Sequence, residues 1–416
     1  MDEVIVALRE YLHLPDADHV RVALATAVTA FSEGDPLWTM LVAAPSSGKT
    51  EMVRALDDTA DAHVGELTAA GLLSWRPGRG KTPAKPAGLL TRLGPRALVT
   101  IGDFSTVLAM SDRGQRDQLF ALLRRLFDGE VVRDLGSAPE PLVYRGRVTM
   151  LAAVTPSIDR FSSHSDQLGP RWLFFRIAEQ DSAGRRQTAR AARIHGARVA
   201  EHRARVRQLA DRAVQAAAVD LPDVKITDDL ADTIDDAAIV ACLGRAAVQR
   251  DGYGRRDILD VPVIEEPPRL VGQLVQLARG LLALGHDHDV TGRLGRRAAL
   301  DSIPQARRRV LVALHEGESL TVSEIARRSR CDRKVARFAL EELEAVGLCR
   351  RDGPQDEDEN PRAAWHLAGV DAQLVAAVIA ADETGTKSRY HPPTPPKEEG
   401  IEDTGTHTSS QSGDTP

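Results

Sequence analysis

Residues 39–56 read TMLVAAPSSGKTEMVRAL. A short apolar run enters a turn made only of small residues, Ala43, Ala44, Pro45, Ser46, Ser47 and Gly48, and leaves it as a helix that opens on Lys49 and Thr50. Small residues let backbone N–H groups come close to a ligand. The first turn of a helix adds unpaired donors and the positive end of its dipole, so the corner suits a phosphate. Lys49 would then reach the terminal phosphates of ATP, and the Thr50 hydroxyl would hold its Mg2+. The pattern G-x-x-x-x-G-K-[ST] has Ala43 in place of its first glycine. The competing reading is an ordinary strand–turn–helix corner.

Three further segments end in groups that could serve the same chemistry. ALVTIGDF (97–104) is an apolar strand with Asp103 at its carboxyl tip, where a carboxylate orients the magnesium shell; its other reading is a turn cap. Phe104 follows, where a glutamate often polarises the attacking water, so hydrolysis needs another base or is slow. Glu51 and Glu66 are the candidates, each competing with a plain surface role. RVTMLAAVTPSID (147–159) is a buried strand ending in Thr155, placed to feel a γ-phosphate through water. In LGPRWLFFRI (168–177), Arg171 precedes a strand, where it would face outward at a subunit boundary and neutralise charge in a neighbour's site. The alternative for Arg171 is pairing with a local carboxylate.

VVRDLGSAPEPLVYRGRVTM (131–150) reads as a hairpin about a Gly-Ser-Ala-Pro turn that carries Arg133, Arg145 and Arg147. Arginines are permanently charged phosphate ligands, so these could grip a nucleic-acid backbone; solvated surface charge is the other reading. Arg269 opens a helix after two prolines, and Leu270, Leu274, Leu277 and Leu281 give that helix its core face. The GHDHD turn (285–289) lacks further ligands nearby and reads as a solvated loop.

In this order, the segments resemble the AAA+ ATPase superfamily. RVTMLAAVTPSID and PRWLFFRI are similar to the minichromosome-maintenance-like helicase ATPases; GDPLW…PSSGKTE and GDFSTVLAM resemble ATPases of phages and integrated elements. The resemblance implies a P-loop AAA+ three-layer α/β sandwich with a helical lid. It makes Lys49, Thr50 and Asp103 the nucleotide and magnesium residues, Thr155 a first sensor, Arg171 a finger acting in trans and Arg269 a second sensor. It also implies a homo-oligomer, with a hexameric ring as one form, whose hairpin meets DNA in a central channel.

The elements that must hold these groups are legible too. The chain has 416 residues, 42% hydrophobic and 27% charged, which fits several soluble domains. A net charge of -6 excludes a uniformly basic coat, so any DNA contact must be local. Cys242, Cys331 and Cys349 lack metal-ligand spacing and fit a reducing cytosol. No signal peptide or membrane-length apolar run appears, and the expectation is a cytoplasmic protein that meets no membrane. The boundaries expected are N-terminal helices over 1–35, broken at Pro15, and an α/β core over 36–180. An all-helical lid follows over 181–300, then a winged helix-turn-helix over 301–370 and a disordered tail over 371–416. SWRPGRGKTPAKPAG (74–88) reads as an exposed basic loop, either a solvated insertion or a segment that contacts DNA or a partner.

The fourth segment runs helix, TVSEIARRSR, turn, RKVARFALEELEAVG, strand, acidic loop, strand. Its second helix opens with Arg333, Lys334 and Arg337, which would face a DNA groove or its phosphates, while the acidic loop PQDEDEN (354–360) would repel them. The reading that follows is an ATPase acting on DNA, as a helicase or translocase of a mobile element. The alternatives are a nucleotide-gated DNA-binding regulator and a helicase-loading adaptor with slow or no hydrolysis.

Overall fold

Strand β1 (Trp38–Val42) is buried along its whole length, as an interior strand of a parallel sheet covered on both faces must be. It lies between β8 (Arg147–Val154) and β9 (Leu173–Arg176), parallel to both, with Val42 level with Val154 on one side and Arg176 on the other. Beyond β8 come β5 (Arg96–Ile101) and the edge strand β2 (Ala62–Val64), also parallel, so the sheet order is β2-β5-β8-β1-β9. The computed structural model describes residues 1–78, 83–164, 170–252, 256–317, 319–352, 363–369 and 372–386.

Alternation along the strands splits the sheet between two layers. Leu41, Leu98, Leu151 and Phe175 face a core shared with α1 (Asp2–Arg9), α2 (Asp18–Val28) and the helices of the second half of the chain. Met40, Val99, Met150 and Ala152 face the other way, toward α6 (Arg113–Phe127) and the short helices α4 (Ala69–Leu72) and α5 (Ser105–Leu108). The arrangement is a mixed α/β sandwich about a five-stranded parallel sheet. The third helix, α3 (Lys49–Arg54), leaves the sheet directly after β1.

Two small hairpins decorate the second layer. Strands β6 (Glu130–Arg133) and β7 (Leu142–Arg145) pair antiparallel, as the sequence predicts. The basic stretch read as a loop also contains a hairpin, β3 (Ser74–Arg76) with β4 (Lys85–Ala87). The Gly and Pro content of the stretch masks it, because Pro86 sits in a two-stranded ribbon where each strand keeps a free edge.

The described residues of 181–301 include the helices α7 (Ser182–His195), α8 (Val199–Asp220), α9 (Asp228–Arg245), α10 (Pro268–Ala283) and α11 (His288–Asp301). Between α9 and α10 the chain is irregular, with one bridge from Arg250 to Ile258. The C-terminal part follows the order α12 (Gln305–His315), β10 (Leu320–Thr321), α13 (Val322–Ser329), α14 (Arg333–Ala345), β11 (Cys349–Arg351), β12 (Ala364–Leu367). Its three strands form an antiparallel sheet in the order β10-β12-β11. A full capping box, Thr321 with Glu324, starts α13.

One boundary is corrected. Residues Ala372–Thr386 form a fifteenth helix, α15, whose Val375, Val378 and Ile379 are buried and whose Asp382 pairs with Arg308 at 2.9 Å. An alanine- and valine-rich start to the segment gives it an apolar face that the polar remainder obscures. The acidic loop at 354–360 and the tail from 387 lie outside the described residues.

Candidate functional site

The corner after β1 turns through left-handed backbone. Ser46 (φ 61) and Gly48 (φ 89) both occupy the left-handed region. Ala44, Pro45 and Ser46 are exposed, Ser47, Gly48 and Thr50 half-buried. Lys49 is 6% exposed, and its Nζ donates to the Ala44 carbonyl at 3.0 Å, closing the loop on itself. Burial pulls the Lys49 ammonium below its ordinary range, and the negative charge of Asp103 works against that fall. The Ser47 Oγ is shut off from solvent without a hydrogen-bond partner, and a Cβ added at Gly48 would meet nothing within 4 Å. An orphaned hydroxyl, open space above Gly48 and an ammonium held by a single carbonyl are a donor set that fits a triphosphate with Mg2+.

A parallel sheet gathers the carboxyl ends of its strands on one edge. Lys49 and Thr50 follow β1, Thr155 follows β8 next to it, and Asp103 stands past β5, one strand further out. These sequence-predicted groups therefore share one edge. Asp103 also serves as the turn cap that was its other reading, its Oδ1 accepting from the Ser105 N–H at 2.9 Å.

Several residues of this edge escaped sequence reasoning. Ser105 Oγ accepts from the Thr155 N–H at 3.0 Å and lies 3.1 Å from Thr155 Oγ1, which in turn lies 2.7 Å from Ser157 Oγ. Arg176, level with the end of β1, makes a two-pronged ion pair with Asp159 at 2.8 and 2.7 Å and donates to the Asp301 carbonyl. A charged residue closing the apolar run LFFR was the available signal, the same one that singled out Asp103.

Phe104 is fully buried, its ring 5.3 Å from Trp172 and its N–H on the Ala153 carbonyl at 2.7 Å. Its Cβ thus points into the core, away from the strand tips. Neither substitute base lies free at the edge. Glu51 is taken up by Arg203 at 2.8 and 2.6 Å, with Arg54 and Tyr11 adding to the pair. Burial opposes its charge, but those partners outweigh it and hold the carboxyl below its ordinary range. Glu66 is exposed beyond the end of β2, three strands from β1.

The two arginines expected to report on phosphate require correction. Arg171 precedes β9, whose Leu173 is level with Thr39, so it sits at the amino end of the sheet. It does not project outward: its side chain is 11% exposed, bonded to Asp128 at 3.1 and 3.2 Å and laid over the Phe127 ring. The local carboxylate wins because Phe127 and Asp128 end α6 directly beneath it. Arg269 pairs with Glu265 at 3.4 Å. It stands one turn before Gln273, which contacts the Arg171 carbonyl, so it too lies at the amino end.

The hairpin arginines divide. Arg133 donates to the carbonyls of Ala69 and Leu73, tying the hairpin to α4. Arg147 belongs to β8 and bonds the carbonyls of Thr29, Gly34 and Asp35; burial pulls its guanidinium down to about 10. Both are therefore corrected from backbone-gripping groups to internal braces. Arg145 remains exposed, paired across the hairpin with Glu130 at 2.6 Å.

In the C-terminal part, Arg333, Lys334 and Arg337 are exposed on the first turns of α14. Lys334 and Arg337 flank the Phe338 ring, at 5.7 and 5.5 Å, and Arg337 pairs with Glu341 at 3.4 Å. Arg250 covers the same ring at 4.7 Å while bonding Glu341 and Glu342, which pins the irregular segment after α9 onto α14. Among the described residues no cluster of His, Cys, Asp and Glu could hold a metal, and no helix is long and apolar enough to cross a membrane. The chain matches no protein-family model and no curated protein.

Proposed function

We propose that the chain is an AAA+-type ATPase that binds ATP with Mg2+ at the Ala44–Thr50 corner and acts on DNA through its C-terminal part, read as a winged helix-turn-helix. The reading rests on one observation: Lys49, Thr50, Asp103 and Thr155 all follow the carboxyl ends of neighbouring strands of the parallel sheet and so share one edge. Bound ATP·Mg2+ would supply the triphosphate and the metal charge. Lys49 would exchange the Ala44 carbonyl for phosphate oxygens, so the loop opens as the ligand enters. Thr50 and Asp103 would orient the metal shell, and Thr155, braced by Ser105 and Ser157, would position water at the terminal phosphate.

Isothermal calorimetry tests this. Wild type takes up ATP only with Mg2+, and Lys49→Ala weakens binding roughly 10- to 100-fold, as expected for a charged hydrogen-bonding partner. Equal affinity of the two proteins would remove the site.

A second reading, a nucleotide-gated DNA-binding regulator, is favoured by Phe104, which leaves no carboxylate beside Asp103. Footprinting separates the two, because a regulator protects one defined sequence and a translocating helicase does not.

A further inference from the structure

Helix α7 (Ser182–His195) buries none of its residues, and Ile194 on it is 54% exposed. A helix of this length is marginal by itself in water. It carries Arg185, Arg186, Arg190 and Arg193, all exposed and without an ion-pair partner among the described residues, and it contains no acidic residue. Two of these arginines sit in the first turns, where the helix dipole opposes a cation. Arg186 and Arg190, and Arg190 and Arg193, are like charges at repelling spacings.

Helix α9 (Asp228–Arg245) carries the opposite pattern. Its inner face, with Leu230, Ile234, Ala237 and Ala241, is buried. Its outer face presents Asp228, Asp229, Asp232, Asp235 and Asp236, all exposed and likewise without an ion-pair partner. The dipole accounts for Asp228 and Asp229 but not for the three further along. Arg186, Arg190 and Arg193 have the spacing i, i+4, i+7, and so do Asp228, Asp232 and Asp235. Each set spans about 10 Å of helix.

We infer that α7 of one copy docks on α9 of a second copy, the arginine row against the aspartate row. A polyanion such as duplex DNA would satisfy the arginines and leave the aspartates repelling one another, whereas a second copy relieves both. The two rows are different patches, so the contact is head-to-tail and repeats into a ring or an open chain of copies. Apolar contact from Ile194 adds to the ionic pairing. The inference names surfaces independent of the nucleotide corner and is tested without nucleotide.

The experiment is sedimentation velocity on the full chain at about 50 mM and about 500 mM salt. Wild type at low salt should exceed the 45.1 kDa of one chain and approach it at high salt. One variant carries Arg186→Glu, Arg190→Glu and Arg193→Glu, and the other Asp228→Arg, Asp232→Arg and Asp235→Arg. Each alone should associate at least tenfold more weakly, and an equimolar mixture should recover the wild-type mass, because the inverted rows now match. The recovery also shows that both variants fold. A wild type of single-chain mass at low salt, variants of unchanged mass or a mixture that fails to recover would overturn the inference. Loss of duplex DNA binding by the Arg→Glu variant with its mass unchanged would assign α7 to nucleic acid instead.

Discussion

At the scale of single residues, the proposed nucleotide site has its binding groups on the strand-tip edge and no carboxylate next to Asp103. Asp103, Lys49, Thr50 and Thr155 are in place, yet the position after Asp103 points into the core as Phe104. Installing the missing carboxylate there should fail. Phe104→Glu buries a charge beside Trp172 and loses an aromatic contact, so we expect a loss of about 3 kcal/mol or more in urea unfolding and no gain in phosphate release. A stable variant with faster turnover would show that the backbone can turn this side chain outward. The sequence foretold the absence of a glutamate, but not the direction of Phe104, because that direction is set by the Phe104 N–H binding the Ala153 carbonyl of a strand about fifty residues away.

At the scale of elements, the C-terminal helix α15 is the clearest departure from sequence expectation. Val375, Val378 and Ile379 bury apolar surface against the helical half of the chain, and Arg308 holds Asp382. Ending the chain after residue 370 should lower the Tm on the order of 5 °C, whereas ending it after residue 386 should leave the Tm unchanged. Equal melting of both truncations would return the segment to a passive tail. Polar composition over 371–416 suggested disorder because an average over a long window hides one short amphipathic turn of apolar residues. The helices α12, α13 and α14 and the strands β11 and β12, in contrast, were legible in order, since Thr321 caps α13 and Asp332 caps α14; the two-residue strand β10 was not, because it is too short to leave a pattern.

At the scale of the whole molecule, buried ion pairs join parts distant in sequence. Asp18 on α2 meets Arg293 at 2.6 Å and Arg297 at 3.0 Å on α11. Burial raises the cost of its charge, but Arg293, then Arg297 and Arg21, hold the carboxyl at about 2. Its neighbour His19 is buried among Asp16, Asp18 and Arg297, and burial keeps the ring neutral down to about 4, against 6.5 for a free histidine. A depressed folded-state value means that the unfolded chain takes up the proton first. The stability His19 contributes is therefore full above pH 6.5 and is lost as the pH falls toward 4, on the order of 3 kcal/mol. Asp18 then adds a further loss between pH 3.8 and about 2. Urea midpoints at pH 7, 5.5 and 4 should decline, with the His19 ring shift in NMR flat until near pH 4; a ring titrating near 6.5 would refute this. Long-range charge acts on partners as well. If the proposed DNA contact is made by α14, neutralising Arg333, Lys334 and Arg337 together should cut the slope of log K against log salt by about 2 to 3. An unchanged slope would place the contact elsewhere.

What the sequence determined by itself was local chemistry: a small-residue corner opening on Lys49 and Thr50, an apolar strand tipped by Asp103, another tipped by Thr155, and helices capped at their ends. These follow from residue type and spacing along a few turns of chain, which is where backbone sterics and hydrogen bonding act. Tertiary structure decided which tips are neighbours and which charges are spent. It drew Arg171 down onto Asp128, Arg133 and Arg147 onto backbone carbonyls, Glu51 onto Arg203 and Arg176 onto Asp159. A charged side chain takes whatever partner the fold brings within about 3 Å, and that partner lies tens to hundreds of residues away, beyond the reach of any local pattern.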